Sequence, residues 1–195
     1  MVKRPDDSTG ERDEALAASV WEALESVHDP EIPPVAITDL GIVEDVRTPP
    51  GSVEVDLVPT FAGCPALDVI REDVEAAVSS VAGGREIRVR FVNAPAWTSD
   101  RVTREGREAM RSYGLTPPPG LTGTVLLPVI PLTPACPYCG SRDTVRESAF
   151  GPTLCRATHY CNACRNPFES FKPKMAGPAR ASTQEPSDTA AGPSA

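Results

Sequence analysis

Two pairs of cysteines in the last third of this 195-residue chain have the spacing of a metal site. Cys136 and Cys139 lie in CPYCG, and Cys161 and Cys164 lie in CNACR after 21 intervening residues. Each CxxC pair can turn tightly enough to point both thiolates at one ion, and a hairpin between the pairs completes a tetrahedral four-cysteine site. The spacing predicts a structural Zn²⁺ in a ribbon of about 40 residues, too small to fold on its own core.

Other uses of these thiols stay open at this point. Redox-active CxxC pairs, or an iron-sulfur centre on the same four thiolates, would use the same spacing. Cys155 lies six residues before Cys161 in a β-like stretch. It is either a small, half-buried side chain or a further thiol that serves as an alternative ligand or contacts an iron-sulfur centre. His159 is expected on the strand surface rather than among the ligands.

The remaining cysteine, Cys64, stands far from the others in the stretch TFAGCPALDVI. Because Pro65 suits the first position of a helix, Cys64 is the expected N-cap. The helix dipole and unpaired amides would then lower its pKa and favour a soft metal. The alternative is a small buried hydrophobic residue without chemistry. Pairing with His28 as a general base is a further possibility, with little else to support it.

Two carboxylates, Asp29 and Glu31, lie in HDPEIPP, where three prolines stiffen the turn. They could bind a metal or orient a partner. They could equally cap the turn through hydrogen bonds from the side chain to the backbone. The residues alone do not choose between these uses.

Hydrophobic periodicity predicts the elements that must position these residues. A helix stripe follows residue 13, two alternating strands flank RTPPG, and a second helix stripe follows Cys64. A third strand, REIRVRFV, and a last helix with Ser99 as its cap follow. The predicted fold class is α/β: a small domain of order α-β-β-α-β-α, followed by the four-cysteine ribbon.

Composition divides the chain into five segments. We expect a flexible N-terminus over 1–12, the α/β domain over 13–115, a Pro-rich linker over 116–134, the ribbon over 135–173 and a disordered tail over 174–195. The linker contains the apolar stretch TVLLPVIPL, which we expect to lie extended against a surface.

Charge and hydropathy exclude several classes of function. The net charge is −8, with 12 basic against 22 acidic residues up to position 133. Such an acidic body does not suit nucleic-acid binding and fits contact with other proteins. No apolar run is long enough to span a membrane, and the N-terminal residues lack a secretory pattern, so a cytoplasmic protein is expected.

Several motifs in order carry a resemblance. HDPEIP, DLGIV and PTFAGCPA resemble the iron-sulfur assembly family that includes SufT-like proteins, and CPYCGS with CNACRNPFESFKP resembles the PaaD family. The resemblance runs from about residue 15 to residue 172. Its assembly signature falls on six residues: Asp29, Pro30, Glu31, Thr60, Cys64 and Pro65. Its ribbon signature falls on Cys136, Cys139, Cys161 and Cys164, with Cys155 inside the matching stretch.

The resemblance implies a non-catalytic role in phenylacetate catabolism, assisting the metal centres of a phenylacetyl-CoA epoxidase. The implied partners are its oxygenase and reductase subunits, and the implied cargo is iron or a transient iron-sulfur cluster. One thiol cannot hold a cluster alone. Cys64 would therefore need a second subunit in a homodimer, a small-molecule thiol, or Cys155. The alternatives are a structural epoxidase subunit without labile metal and a thiol oxidoreductase.

Overall fold

The computed structural model describes residues 13 to 120 and 133 to 174. Within them the helices and strands follow the predicted order of a small α/β domain and a ribbon. The elements are α1 Glu14–Glu25, β1 Val43–Arg47, β2 Ser52–Leu57, α2 Leu67–Ser79, β3 Glu86–Phe91, a 3₁₀ turn Ser99–Arg101, α3 Arg104–Ser112, β4 Leu115–Thr116, β5 Thr144–Ser148, β6 Arg156–Cys161 and β7 Pro167–Phe171.

The first sheet has the order β1-β2-β3. β1 and β2 form an antiparallel hairpin, whereas β2 and β3 are parallel because α2 returns the chain between them. Alternation places Val53, Val55 and Leu57 of β2 in the core, each without solvent exposure. α1 and α2 cover this core with the apolar stripes that the sequence predicts. The predicted α/β fold is confirmed.

The cap of the last helix differs from the prediction. Ser99 opens a single 3₁₀ turn, and Thr103 caps α3 instead. The Thr103 hydroxyl accepts a hydrogen bond from Gly106 N at 3.0 Å and donates to Asp39 Oδ1 at 2.6 Å. Thr103 therefore joins the helix start to the loop before β1, a contact that sequence spacing does not reveal.

The second sheet combines the ribbon with a strand from before the linker. Its order is β4-β7-β6-β5, and β4 pairs in parallel with β7 through Leu115 opposite Glu169. The hairpin β5-β6 that brings the two CxxC pairs together is as predicted. The sequence does not predict the two-residue strand β4, because so short a segment has no readable period.

The end of β7 packs against the α/β domain. Trp97 is 1% exposed, donates from Nε1 to Leu40 O at 2.8 Å, and lies 5.8 Å from Phe171 between ring centroids. Ser99 N donates to Lys174 O at 2.9 Å, and Lys174 N donates to Ser99 Oγ at 2.8 Å. These contacts fix the end of the ribbon against residues 97 to 99 of the α/β domain.

Among the described residues, no helix is long and apolar enough to cross a membrane. The expectations for 1–12, for the apolar linker stretch TVLLPVIPL and for the tail after Lys174 fall outside the described residues.

Candidate metal centre and neighbouring thiol site

The four predicted ligands meet in one cluster. The Sγ atoms of Cys136, Cys139, Cys161 and Cys164 all lie within 4.8 Å of one another. Cys136 Sγ is 3.6 Å from Cys164 Sγ, and Cys139 Sγ is 3.6 Å from Cys161 Sγ. Tetrahedral Zn²⁺ with Zn–S bonds of about 2.3 Å requires sulfur separations of about 3.8 Å. The four thiols therefore fit a closed metal site.

Two matching turns build this site. Gly140 N donates to Cys136 O at 2.9 Å, and Arg165 N donates to Cys161 O at 2.8 Å. Gly140 and Arg165 both have left-handed backbones, with φ of 74° and 60°. The left-handed residue after each CxxC pair reverses the chain, so both thiols of a pair point inward.

The thiols of this cluster do not ionise alike. Burial raises the pKa of Cys164, but hydrogen bonds from Asn166 and the neighbouring thiols outweigh it and lower that pKa overall. The Ser141 backbone N–H lowers the pKa of Cys139, but burial and the neighbouring thiols together raise it. A divalent cation stabilises all the thiolates together by replacing their protons.

His159 is not on the strand surface, where the sequence places it, and that prediction is wrong. It is 4% exposed, its Nε2 lies 2.8 Å from Ser170 Oγ, and its ring stacks on Phe168 at 5.2 Å. Burial lowers its pKa, and the Phe168 ring on which it stacks belongs to the apolar cluster of Cys136 and Cys161. The cross-strand partners on β7 decide this burial.

Cys155 lies outside the four-cysteine cluster. It is 8% exposed and packs in the core of the α/β domain, with Sγ 3.1 Å from Thr153 Oγ1. Burial raises its pKa, whereas the Thr153 hydrogen bond and the Arg156 charge oppose that rise. Cys155 is therefore a fifth ribbon thiol, and it packs in the core of the α/β domain.

Cys64 is not the N-cap of α2, and that prediction is wrong. The helix begins at Leu67 with Ala66 as its cap. Residues 61 to 64 form a preceding turn in which Cys64 N donates to Phe61 O at 3.1 Å. The Ala66 backbone N–H nevertheless acts to lower the pKa of Cys64, as an amide at a helix start would.

The pKa of Cys64 is raised, not lowered as predicted. Burial is the largest cause and outweighs the hydrogen bond from Ala66 N. The negative charges of Asp29, Cys155 and Glu31 raise the pKa further. These groups come from distant parts of the chain, so local sequence could not reveal them. The proposed partner His28 is engaged in its own turn, where its Nδ1 lies 2.9 Å from Ser26 O.

Asp29 caps its own turn, which is the structural alternative to metal binding. Its Oδ1 accepts hydrogen bonds from Glu31 N at 2.8 Å and Ile32 N at 3.2 Å. Asp29 is 7% exposed, and burial raises its pKa. The carbonyl of Glu31 accepts a hydrogen bond from Arg156 Nη2, and Arg156 Nη1 donates to Glu169 Oε2 at 2.8 Å.

Thr60 precedes Cys64 by four residues and is 6% exposed. Its carbonyl accepts a hydrogen bond from Lys174 Nζ at 3.1 Å, and the same ammonium lies 5.6 Å from the centre of the Phe61 ring. Arg156 therefore joins the ribbon to the stretch HDPEIP, and Lys174 joins it to the stretch PTFAGCPA. Sequence reasoning missed both residues, because isolated basic side chains carry no spacing signal.

Alkylation should show the raised pKa of Cys64 directly. We expect iodoacetamide to modify Cys64 more slowly in the zinc-loaded folded chain than in the urea-unfolded chain at neutral pH, because less thiolate is present. The rate should rise with pH through a midpoint above the ordinary value of 9.0. Mass spectrometry of the Cys64 peptide measures the rate, and a midpoint below 9.0 would contradict the burial argument.

Comparison with known proteins identifies both parts of the chain. Residues 17–91 match the family described as "Iron-sulfur cluster assembly protein", and residues 131–172 match the "PaaD zinc beta ribbon domain". These ranges contain the candidate residues Asp29, Glu31, Thr60 and Cys64 and the ribbon cysteines with Cys155, respectively.

Two curated relatives and one solved structure are similar. A protein of Escherichia coli K12, named as a subunit of a "Putative 1,2-phenylacetyl-CoA epoxidase", is 37% identical over 78% of this chain and 90% of its own length. A "Fe-S protein maturation auxiliary factor" of Porphyromonas gingivalis is 39% identical over 42% of this chain and 78% of its own. The crystal structure of a domain of unknown function, DUF59, from Bacillus anthracis has 32% identity and a TM-score of 0.47, covering 50% of this chain and 92% of that chain.

Proposed function

This chain belongs to the PaaD family, and from that premise we propose that it is a non-catalytic accessory protein of a phenylacetyl-CoA epoxidase. Its task is to assist the assembly or insertion of iron or an iron-sulfur cluster. Relatives named as a maturation auxiliary factor and as an iron-sulfur cluster carrier support this accessory role.

The observation that carries the proposal is the position of Cys64. It is partly exposed and lies outside the closed four-cysteine cluster, and its pKa responds to the charges of Asp29, Glu31 and Cys155. A thiol in this position can take cargo from solution and release it again. Burial keeps the empty thiol protonated, so iron binding would release its proton.

Each other candidate residue has a place in this proposal. Asp29 shapes the turn, and Thr60 offers the carbonyl that Lys174 binds. Glu31 contributes a negative charge that raises the pKa of Cys64, and Cys155 adds to this effect once it ionises. We assign Zn²⁺ to the four-cysteine cluster, where the thiolates would hold it as a structural ion. In this proposal the unit 13–115 binds the cargo, and the unit 135–173 supports it structurally.

The proposed partners are the oxygenase and reductase subunits of the epoxidase, met in the cytoplasm, with a homodimer as one source of further ligands. A second candidate function is a structural subunit without labile metal. Exposed apolar side chains on the ribbon favour it, since Phe150 is 72% exposed and Tyr138 is 59% exposed. Such residues suit a protein interface.

Substitution of Cys64 in a host that carries the pathway separates the two functions. If Cys64 holds the cargo, Cys64→Ser should lower the iron content of the purified oxygenase or reductase, measured separately by elemental analysis. Ala62→Ser, at an exposed neighbouring position in the same loop, is the matched control and should leave iron content unchanged. Full iron loading and activity with Cys64→Ser would favour the structural subunit.

A further inference from the structure

Cys64 and Cys155 come from different domains, and both pack on the same hydrophobic core where those domains meet. The residues that precede them, Gly63 and Leu154, approach closely: a Cβ atom on Gly63 would lie 3.2 Å from Leu154 Cδ1. Both cysteines pack on the same core, and beyond burial the pKa of each responds to the charge of Asp29.

Several hydrogen bonds hold Cys155 in this position. Lys172 N donates to Cys155 O at 2.8 Å, which fixes the cysteine backbone against the end of β7. The next residue, Arg156, bridges the carbonyl of Glu31 and the carboxylate of Glu169. Arg156 is 7% exposed, so this bridge is buried between the α/β domain and the ribbon. The position of Cys155 is thus specified by contacts from both domains.

The four-cysteine cluster also helps to specify the position of Cys155. β6 begins at Arg156, directly after Cys155, and ends at Cys161, one of the four clustered cysteines. An ion that fixes Cys161 therefore fixes the strand whose other end carries Cys155. The ribbon would therefore hold Cys155 in place as well as stabilise its own fold.

We propose that Cys64 and Cys155 form a single two-thiolate binding site, assembled between the α/β domain and the ribbon, for iron or an iron-sulfur cluster. The inference rests on the proposed function for the identity of its cargo. Thiolates suit both iron-sulfur clusters and soft divalent ions. Binding exchanges the two thiol protons for the metal and involves no change of oxidation state in the cysteines.

The site has an incomplete set of donors. Within the described residues, only the ribbon cysteines bring three or more possible ligand atoms within 4.8 Å of one another. Cys64 and Cys155 supply two of the four thiolates that an iron-sulfur cluster takes. Small-molecule thiols or cysteines of the receiving protein supply the others. A half-filled ligand set lets the cargo leave by ligand exchange, unlike an ion held by the closed ribbon site.

Crosslinking with dibromobimane tests whether the two thiols form a pair. The reagent becomes fluorescent when it alkylates two neighbouring thiols, and bound zinc protects the four ribbon cysteines. The zinc-loaded full chain should become fluorescent, and the Cys64→Ser and Cys155→Ser variants should each fall to the level of the double variant. Fluorescence that persists in either single variant, or that is missing from the parent, overturns the pair.

Cobalt binding tests whether the pair holds metal. Co²⁺ added to the zinc-loaded chain should produce thiolate charge-transfer absorption, because Zn²⁺ binds the ribbon more tightly than Co²⁺ does. Cys64→Ala and Cys155→Ala should each remove that absorption. Alanine keeps the buried Cys155 position apolar, and a zinc content of one per chain verifies folding. Absorption that survives either substitution contradicts the shared site.

The outcomes separate the pair from the proposed function. If crosslinking and cobalt binding fail while Cys64→Ser still strips iron from the epoxidase, the two-thiolate site is wrong and the proposed function stands. If the pair crosslinks and binds Co²⁺ while Cys64→Ser leaves the epoxidase fully loaded, the site stands and the proposed function is wrong.

Discussion

Replacing Cys139 by serine should abolish tight zinc binding and unfold the ribbon. Cys139 is exposed, so its substitution opens no cavity and the effect reports on the metal alone. Structural zinc sites in small modules contribute roughly 10–16 kcal/mol of apparent binding free energy at neutral pH. The apolar cluster around Cys161 and Phe168, which packs beside the four cysteines, is too small to replace it. We expect zinc content to fall from one per chain to near zero.

Loss of the ribbon fold should also perturb the α/β domain, because the two parts pack against each other. β7 pairs with β4, and Phe171 packs on Trp97. Unfolding the ribbon should therefore expose Trp97 and shift tryptophan fluorescence to longer wavelength. Cys155→Ser is the control, since Cys155 lies outside the metal cluster and its variant should keep one zinc. One tightly bound zinc in Cys139→Ser would contradict the four-thiolate assignment.

Truncating Trp97 to alanine should produce the largest loss of stability among substitutions outside the metal centre. Trp97 is 1% exposed and lies where the α/β domain meets β7. Removing a buried tryptophan side chain costs about 3–5 kcal/mol. Its indole N–H also satisfies Leu40 O, which would lose this donor. Urea unfolding followed by circular dichroism measures the change in unfolding free energy.

A matched comparison is available in the same chain. Trp21 on α1 is only partly buried against the core, so Trp21→Ala should cost clearly less than Trp97→Ala. Trp97→Phe keeps most of the apolar volume and removes the hydrogen bond, whose loss costs about 1–3 kcal/mol when an acceptor is left buried. Equal losses for Trp21→Ala and Trp97→Ala would show that Trp97 does not anchor the two domains.

Local sequence patterns predicted the structure correctly where a single helix, strand or turn contains all the residues of the pattern. The alternation of Val53, Val55 and Leu57 predicted a strand because every second side chain meets the core. The CxxC spacing predicted the cysteine cluster because each pair closes its own turn. Local reading failed at Ser99, because Thr103, held by Asp39, caps α3 instead, and at His159, because its cross-strand partner lies on β7.

Cys64 shows the same limit at the candidate site. Its sequence neighbours predicted a helix cap with a lowered pKa, and the Ala66 N–H does act in that direction. Burial and the charges of Asp29 and Cys155 reverse the shift. Both effects depend on groups that the chain brings together only after folding, so no window around Cys64 contains them.

The sequence by itself determined the α/β order, the four clustered cysteines and the family, because periodicity and ligand spacing are local properties. Only the tertiary structure decided which domain receives Cys155. The pairing of β4 with β7 and the Arg156 bridge to Glu31 carry that thiol to the domain of Cys64. Contacts between residues so far apart in sequence follow from how the two sheets pack, and no local pattern encodes that packing.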